Sequence, residues 1–229
     1  MSPYGGTVPT QTAINDINNN TNINSTTNAL IQNNIPTGAS TVGTGYFTTS
    51  GGMVSPTTGV VAFASVGGGG TVTIPANQYA PITNAWIAQN GTTLNFDGRS
   101  SPVAAADPAQ QQATSNKGYI VVGADGNDTI LGGALADNVT GAGGNDSIST
   151  YAGNDTIVTG VGIDTVDGGV GFDVAQVAGG KSGWIATKTA GEVVLVSTTN
   201  ANNVAHLKNV DFISFTDATG NQTSVVVSG

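Results

Sequence analysis

Aspartates recur every nine residues through the middle of this 229-residue chain. The series consists of Asp128, Asp137, Asp146, Asp155, Asp164 and Asp173. Carboxylates are hard oxygen ligands, and several of them held close together repel one another unless a cation lies between them. The spacing therefore indicates a cation-binding array. Its oxygen chemistry favours calcium, which accepts roughly six to eight oxygen ligands in irregular geometry, over magnesium, which demands a stricter octahedron.

The charge of the chain is concentrated around this series. There are 14 acidic and 5 basic residues, a net charge of −9, although only 8% of the residues are charged. No basic residue lies between Lys117 and Lys181, whereas eight acids do. The lack of a basic face excludes a nucleic-acid binder, and the absence of cysteine excludes disulfides and thiolate metal sites.

The nine-residue period also predicts the backbone that positions the aspartates. Six consecutive units run from residue 123 to residue 176: GADGNDTIL, GGALADNVT, GAGGNDSIS, TYAGNDTIV, TGVGIDTVD and GGVGFDVAQ. Each unit predicts a Gly-rich turn of six residues and a strand of three, with the middle strand residue pointing inward. Two units make one coil, so that each turn stacks on the turn two units earlier, about 4.8 Å away.

This stacking sorts the aspartates into two ladders. Asp128, Asp146 and Asp164 fall on one edge, and Asp137, Asp155 and Asp173 fall on the other. Six units contain four stacked pairs, which predicts about four calcium ions, and we expect the segment to fold only with calcium. The alternative is a metal-free solenoid, which unpaired ladders of carboxylates would make costly.

The repeat resembles the RTX (repeats-in-toxin) nonapeptide, G-G-x-G-x-D-x-U-x, a calcium-binding β-roll repeat. The resemblance implies that calcium lies between stacked turns, bound by the sixth-position aspartates and by turn carbonyls, here those of Gly126, Gly144, Gly153 and Gly162. Leu135 replaces the fourth-position glycine of the second unit, so we expect a distorted or weak site there. Thr150 and Tyr151 replace the leading glycines of the fourth unit, and Ala175 is a small core residue at the end of the series.

The segment that follows the repeats is rich in predicted strands. Trp184–Thr189 and Glu192–Ser197 predict a hairpin, and NVDFISFTD at 209–217 predicts another strand. This segment resembles the β-rich flank of RTX repeats in bacterial substrates of type I secretion. The resemblance implies an uncleaved C-terminal export signal, type I export machinery as a partner and an extracellular location. It fits the lack of a signal-peptide pattern in residues 1–50, and no apolar run is long enough to span a bilayer.

The predicted fold class is all-β, with a C-terminal parallel β-roll, a β cap and an N-terminal β-rich module. Residues 1–35 form a polar arm, either extended or helical with Ile14, Ile17, Ile31 and Ile35 on one face. Residues 36–100 form the β-rich module, either a small sandwich or barrel or a continuation of the solenoid. Its strands are predicted at 44–49, 60–65, 71–74, 85–89 and 92–96. Residues 101–117 are a linker, 118–176 the roll, and 177–229 the cap and export-signal region.

Residues able to perform catalysis are scarce. Residues 1–118 contain no histidine and no glutamate, so an H-E-x-x-H zinc site is excluded there, and no G-x-S-x-G motif occurs. His206, the single histidine, has no partner close in sequence and is interpreted as a surface or packing residue. We therefore expect that the protein is not an enzyme.

The leading functional hypothesis is a self-assembling extracellular structural protein, such as a fibre, surface-layer or biofilm-matrix subunit. Low charge and exposed strand edges favour association between copies. The alternative is an adhesin or carbohydrate-binding module that uses Tyr46, Tyr79 or Trp86. A third class, ice or mineral binders, needs long flat threonine faces, and Thr71 with Thr73 is too short a run to favour it.

Overall fold

The structure, a computed structural model, describes residues 6–19, 25–33, 41–48, 53–54, 61–67, 70–74, 85–89, 91–99 and 118–227. The predicted linker at 101–117, Tyr79 and Ile35 lie outside the described residues. The described chain folds mainly into two sheets that face each other across one apolar core.

The larger sheet, sheet A, contains eleven strands. They are β1 (Gly6–Pro9), β2 (Thr41–Thr48), β3 (Met53–Val54), β4 (Val61–Gly67), β6 (Ala85–Ala88), β8 (Ile120–Val122), β10 (Asn138–Thr140), β12 (Thr156–Val158), β14 (Val174–Ala178), β18 (Phe212–Thr216) and β19 (Gln222–Val226). The smaller sheet, sheet B, contains eight. They are β5 (Gly70–Ile74), β7 (Thr92–Asp97), β9 (Thr129–Leu131), β11 (Ser147–Ser149), β13 (Ile163–Asp167), β15 (Trp184–Thr189), β16 (Glu192–Ser197) and β17 (Val204–Lys208).

The repeat units alternate between the two sheets as their spacing predicts. Parallel pairing aligns Ile130, Ile148 and Val166 in sheet B, and Val139, Ile157 and Ala175 in sheet A. These eighth-position side chains are at most 2% exposed, and together they form the core between the sheets. The predicted parallel β-roll is therefore confirmed.

The strands at 61–97 continue the same two sheets. β6 pairs in parallel with β8, and β7 pairs in parallel with β9, so the core of the roll extends without a break into the N-terminal half. The structure thus shows the continuation of the solenoid that the sequence left open. Trp86, which the adhesin alternative would expose to a ligand, is fully buried, and the centre of its ring system lies 6.0 Å from that of Phe96, so Trp86 cannot serve that alternative.

The N-terminal segment packs against sheet A. It forms two short helices, α1 (Thr10–Asn18) and α2 (Ser25–Gln32), where one helical face or an extended arm was expected. Ala13 and Ile31 are buried, and the Thr27 hydroxyl donates a 2.7 Å hydrogen bond to Oδ1 of Asn138 in β10. Neither described helix is long and apolar enough to cross a membrane.

The C-terminal segment completes both sheets. β15 and β16 form the predicted hairpin, and β16 pairs antiparallel with β17. β17 and β18 add one further coil in parallel with β13 and β14. The predicted hairpin and the predicted strand at 209–217 are thus confirmed by β15, β16 and β18, whereas β19, which pairs antiparallel with β18, was not predicted.

Candidate metal centre

The six aspartates form two hydrogen-bonded ladders along the edges of the roll. In each ladder, the Oδ1 atom of an aspartate accepts the backbone N–H of the residue one coil earlier. The aspartate-to-aspartate bonds are Asp128 to Asp146 at 2.8 Å, Asp146 to Asp164 at 3.1 Å, Asp137 to Asp155 at 2.7 Å and Asp155 to Asp173 at 2.9 Å. All six side chains are at most 3% exposed, so the structure assembles them into the two predicted ladders.

The ladders extend beyond the repeats in both directions. Oδ1 of Asp128 accepts the N–H of Leu94 in β7, and Oδ1 of Asp137 accepts the N–H of Tyr119. At the other end, the N–H of Asp173 donates to Oδ2 of Asp211 at 2.9 Å. Sequence reasoning missed Asp211 because it lies 38 residues after Asp173 and outside the nine-residue period.

The second carboxylate oxygen, Oδ2, divides the turns into two groups. In the turns at 123–128 and 132–137, Oδ2 of the aspartate accepts a hydrogen bond from the second residue of its own turn. Ala124 donates to Asp128 at 2.9 Å, and Gly133 donates to Asp137 at 2.7 Å. We refer to these two as the paired turns.

The other four turns leave this oxygen without a partner. The Oδ2 atoms of Asp146, Asp155, Asp164 and Asp173 are buried and form no hydrogen bond. The Thr150 hydroxyl lies beside Asp155, but it donates its proton to the carbonyl of Gly168 at 2.9 Å. We refer to the turns at 141–146, 150–155, 159–164 and 168–173 as the unpaired turns.

Backbone conformation accounts for the difference. In every unpaired turn the second and fourth residues have positive φ angles. They are Ala142 (79°), Gly144 (107°), Tyr151 (67°), Gly153 (139°), Gly160 (100°), Gly162 (137°), Gly169 (92°) and Gly171 (147°). The equivalent residues of the paired turns, among them Ala124 and Gly133, lie outside the left-handed region. A left-handed residue reorients its peptide groups, so the second-position N–H no longer reaches Oδ2.

Backbone carbonyls add oxygen atoms along the same edges. The carbonyl of the fourth residue in one turn points at the glycine in the fourth position of the turn that stacks on it. A Cβ on Gly144 would lie 2.4 Å from the Gly126 oxygen, and one on Gly153 would lie 2.6 Å from the Leu135 oxygen. Leu135 thus presents its carbonyl as a glycine does. The Gly162 carbonyl differs, because it accepts the N–H of Val204 at 2.7 Å.

The space beside the unpartnered Oδ2 atom of Asp146 exists because Gly141 has no side chain. Oδ2 of Asp146 and the carbonyl oxygen of Thr159 each lie 2.4 Å from where a Cβ on Gly141 would fall. In the described residues, no three acidic, histidine or cysteine side chains converge on one point. A metal ion here would therefore take one or two carboxylates and complete its shell with carbonyl oxygens, which is the donor set of calcium.

Burial disfavours the charged form of these carboxylates. Desolvation raises the pKa of Asp146 to about 8, that of Asp137 to about 7, and those of Asp128, Asp164 and Asp173 to about 6. It also raises the pKa of Asp155. A cation between the turns offsets this cost by supplying the opposite charge that the described basic residues do not supply here.

Asparagines form a third stacked arrangement that the sequence analysis did not identify. The Oδ1 atom of Asn127 accepts the N–H of Asn145, and Oδ1 of Asn145 accepts the N–H of Ile163, both at 2.8 Å. Oδ1 of Asn154 accepts the N–H of Phe172 at 3.0 Å. These exposed hydrogen bonds join turns that stack one coil apart, and they do so without a cation. Their signal in the sequence is asparagine at the fifth position of three units.

His206 has a partner on the neighbouring strand. Its Nδ1 atom lies 2.8 Å from Oε1 of Glu192, across the antiparallel pair β16 and β17. Both side chains are partly exposed on the outside of the cap.

Comparisons with known proteins bear on the repeat segment. The family model of the RTX calcium-binding nonapeptide repeat (4 copies) matches residues 120–148, 131–166 and 140–175, which together span about a quarter of the chain. No curated protein matches the sequence. Among solved structures, the crystal structure of extracellular lipase LipA from Serratia marcescens is similar at 17% identity, over 62% of this chain and 23% of that chain. The TM-score of 0.25 does not establish a shared overall fold, and this chain spans less than a quarter of the length of that lipase.

Proposed function

We propose that the chain is a secreted protein that calcium folds outside the cell. The premise is that residues 120–175 form an RTX β-roll, whose repeats bind calcium and are typical of proteins exported by type I secretion. The observation that carries the proposal is the set of four buried, unpartnered Oδ2 atoms in the unpaired turns. Calcium, when bound, neutralises carboxylates and links one turn to the next.

The magnitudes favour a fold that depends on calcium. A buried polar group without a hydrogen-bond partner costs about 1–3 kcal/mol, and a charged one costs more. Four such groups together approach the whole stability of a typical domain, about 5–15 kcal/mol. The apolar core of the roll is narrow, because β9, β11 and β12 each contribute a single inward residue. We therefore expect that the unpaired turns fold only when a cation offsets this cost.

We also propose that the folded protein assembles into an extracellular structural polymer, as a fibre, surface-layer or matrix subunit. β15 is one edge strand of sheet B and β19 is one edge strand of sheet A, and each pairs with a single strand among those described. Five of the six residues of β15 are exposed. Ile185 and Val226 each expose 60% of their surface on these edge strands. Exposed, weakly charged edge strands pair readily with another copy.

The adhesin alternative loses part of its basis. Trp86 lies in the core, and Tyr79 lies outside the described residues. Tyr46 belongs to β2 in sheet A. The repeats themselves are not catalytic, and we propose that the chain has a structural rather than an enzymatic role.

Sedimentation velocity and far-UV circular dichroism on the same samples test both parts of the proposal. The wild-type protein is compared in millimolar calcium, in millimolar magnesium and in a calcium chelator. We expect the part of the β signal that comes from the unpaired turns to be lost without calcium, and large species to form only with calcium. Ile185→Lys and Val226→Lys, which place charge on the edge strands, should leave the calcium-dependent β signal unchanged and suppress the large species.

The matched control is Thr129→Lys, which adds the same charge on an exposed position in the middle of sheet B. It should assemble as the wild type does. A β signal that is unchanged in chelator would refute the calcium-dependent fold. A compact monomer in calcium would refute assembly and redirect the search to surface and glycan ligands.

A further inference from the structure

The two groups of turns present the same aspartate in different chemical states. Both oxygens of Asp128 and of Asp137 accept backbone N–H groups. A carboxylate oxygen that faces an N–H donor has that direction occupied and is a poor candidate for a cation. In the four unpaired turns, by contrast, Oδ2 has no donor.

We infer that only Asp146, Asp155, Asp164 and Asp173 bind calcium, and that Asp128 and Asp137 instead fasten the roll to the coils before it. The inference rests on the proposed calcium binding and divides the six repeats into two roles. It departs from the sequence pattern, which assigns the same role to all six aspartates.

The fastening role follows from the donors. Leu94, whose N–H binds Asp128, belongs to β7, and its side chain is fully buried in the core. Tyr119, whose N–H binds Asp137, leads directly into β8 and stacks edge-to-face on Phe96 at 5.1 Å. Each paired turn thus ties the first repeats to residues that are already held by packing, and it needs no cation to do so.

The backbone conformation follows the same division. Positive φ angles at both the second and fourth positions occur in all four unpaired turns and in neither paired turn. The non-glycine residues Ala142 and Tyr151 adopt this conformation at a cost. A conformation that costs energy and leaves an oxygen bare persists only if something else stabilises it, and bound calcium would do so.

Calcium content of the purified protein, measured by elemental analysis after gel filtration in calcium, tests the inference. The variants are Asp128→Asn and Asp137→Asn in the paired turns and Asp146→Asn and Asp164→Asn in the unpaired turns. We expect the paired-turn variants to retain the wild-type number of ions, about four. Each unpaired-turn variant should lose at least one ion. Loss of an ion from Asp128→Asn equal to the loss from Asp146→Asn would overturn the inference.

A second measurement avoids variants that do not fold. In wild-type protein with aspartate labelled with ¹³C at Cγ, exchange of calcium for cadmium keeps the roll folded and changes the ion that its ligands touch. We expect four buried carboxyl resonances to shift and two to remain in place. Six shifted resonances would overturn the inference, whereas a wild-type protein that binds no calcium would instead refute the proposed function.

Discussion

The paired turns and the unpaired turns show how one short motif serves two structural purposes. Each turn buries an aspartate and stacks on its neighbour through the same Oδ1 bond. In the paired turns the chain satisfies the second oxygen with its own N–H groups. In the unpaired turns that oxygen has no hydrogen-bond partner, and we propose that the fold there depends on an ion.

This difference predicts that the dependence on calcium lies in one part of the molecule. The N-terminal coils contribute larger core side chains, including Trp86, Leu94 and Phe96, and the paired turns are hydrogen-bonded to residues beside that core. The repeats contribute smaller aliphatic residues such as Ile157, and the last of the six is Ala175. We expect the N-terminal coils to provide the template on which calcium orders the later turns, one coil after another.

Removal of calcium should produce the largest difference between the two groups. The N–H groups of Leu94 and Tyr119 donate to Asp128 and Asp137, whereas those of Asp146 and Asp155 donate to Asp164 and Asp173. Hydrogen exchange in chelator should accelerate at Asp146 and Asp155 by at least about a hundredfold, because their acceptors belong to turns that open.

Leu94 and Tyr119 serve as the matched control within the same protein. Their amides donate the same kind of bond, so we expect their exchange to change by less than about tenfold in chelator. Equal acceleration at all four amides would show that the roll unfolds as one cooperative unit and would contradict the comparison.

Spacing in the sequence was sufficient to predict much of the fold. The nine-residue period predicts the parallel coil, because each unit supplies one turn and one three-residue strand with a single inward side chain. It also gives the two aspartate ladders and the core positions such as Ile148 and Val166. The hairpin of β15 and β16 follows from two β-rich runs around Ala190-Gly191. These features depend on the succession of residues within one repeat unit or one hairpin, and the sequence contains that information directly.

The difference between the groups could not be predicted from local sequence. The first turn reads GADGND and the third reads GAGGND, so they differ only where Asp125 is replaced by Gly143. The first turn lies against β7, where a Cβ on Gly126 would fall 2.5 Å from the Thr93 hydroxyl. The third turn, in contrast, stacks on the first turn and not on β7. Tertiary neighbours thus decide the conformation, and Asp211 joins its ladder for the same reason.

Glycine substitutions at the fourth position should sharpen the comparison with a smaller effect. Gly162→Ala places a Cβ 1.8 Å from the Gly144 carbonyl oxygen at a φ of 137°. We expect a loss of about 3 kcal/mol or more in the free energy of unfolding, measured by urea denaturation in saturating calcium.

Gly126→Ala is the counterpart in a paired turn. Its φ lies outside the left-handed region, and its added Cβ would lie 2.5 Å from the Thr93 hydroxyl and 2.9 Å from the Thr92 carbonyl oxygen, both farther than the 1.8 Å contact of Gly162→Ala. We expect a smaller loss than for Gly162→Ala, about 1–2 kcal/mol. If the two variants lost the same stability, the two backbone conformations would not differ as described.

The smallest expected effect has opposite signs in the two groups. Ala142 holds a φ of 79° in an unpaired turn, where glycine has no steric penalty. Ala142→Gly should therefore stabilise the protein by about 0.5–1 kcal/mol in calcium, a rise of about 2–3 °C in Tm.

Ala124, at the same position of a paired turn, is buried, and its φ lies outside the left-handed region. Ala124→Gly should destabilise the protein by at least a similar amount, because glycine adds freedom to the unfolded chain and removes a buried methyl group. Thermal melts in saturating calcium that moved in the same direction for both variants would contradict the assignment of left-handed strain to the unpaired turns alone.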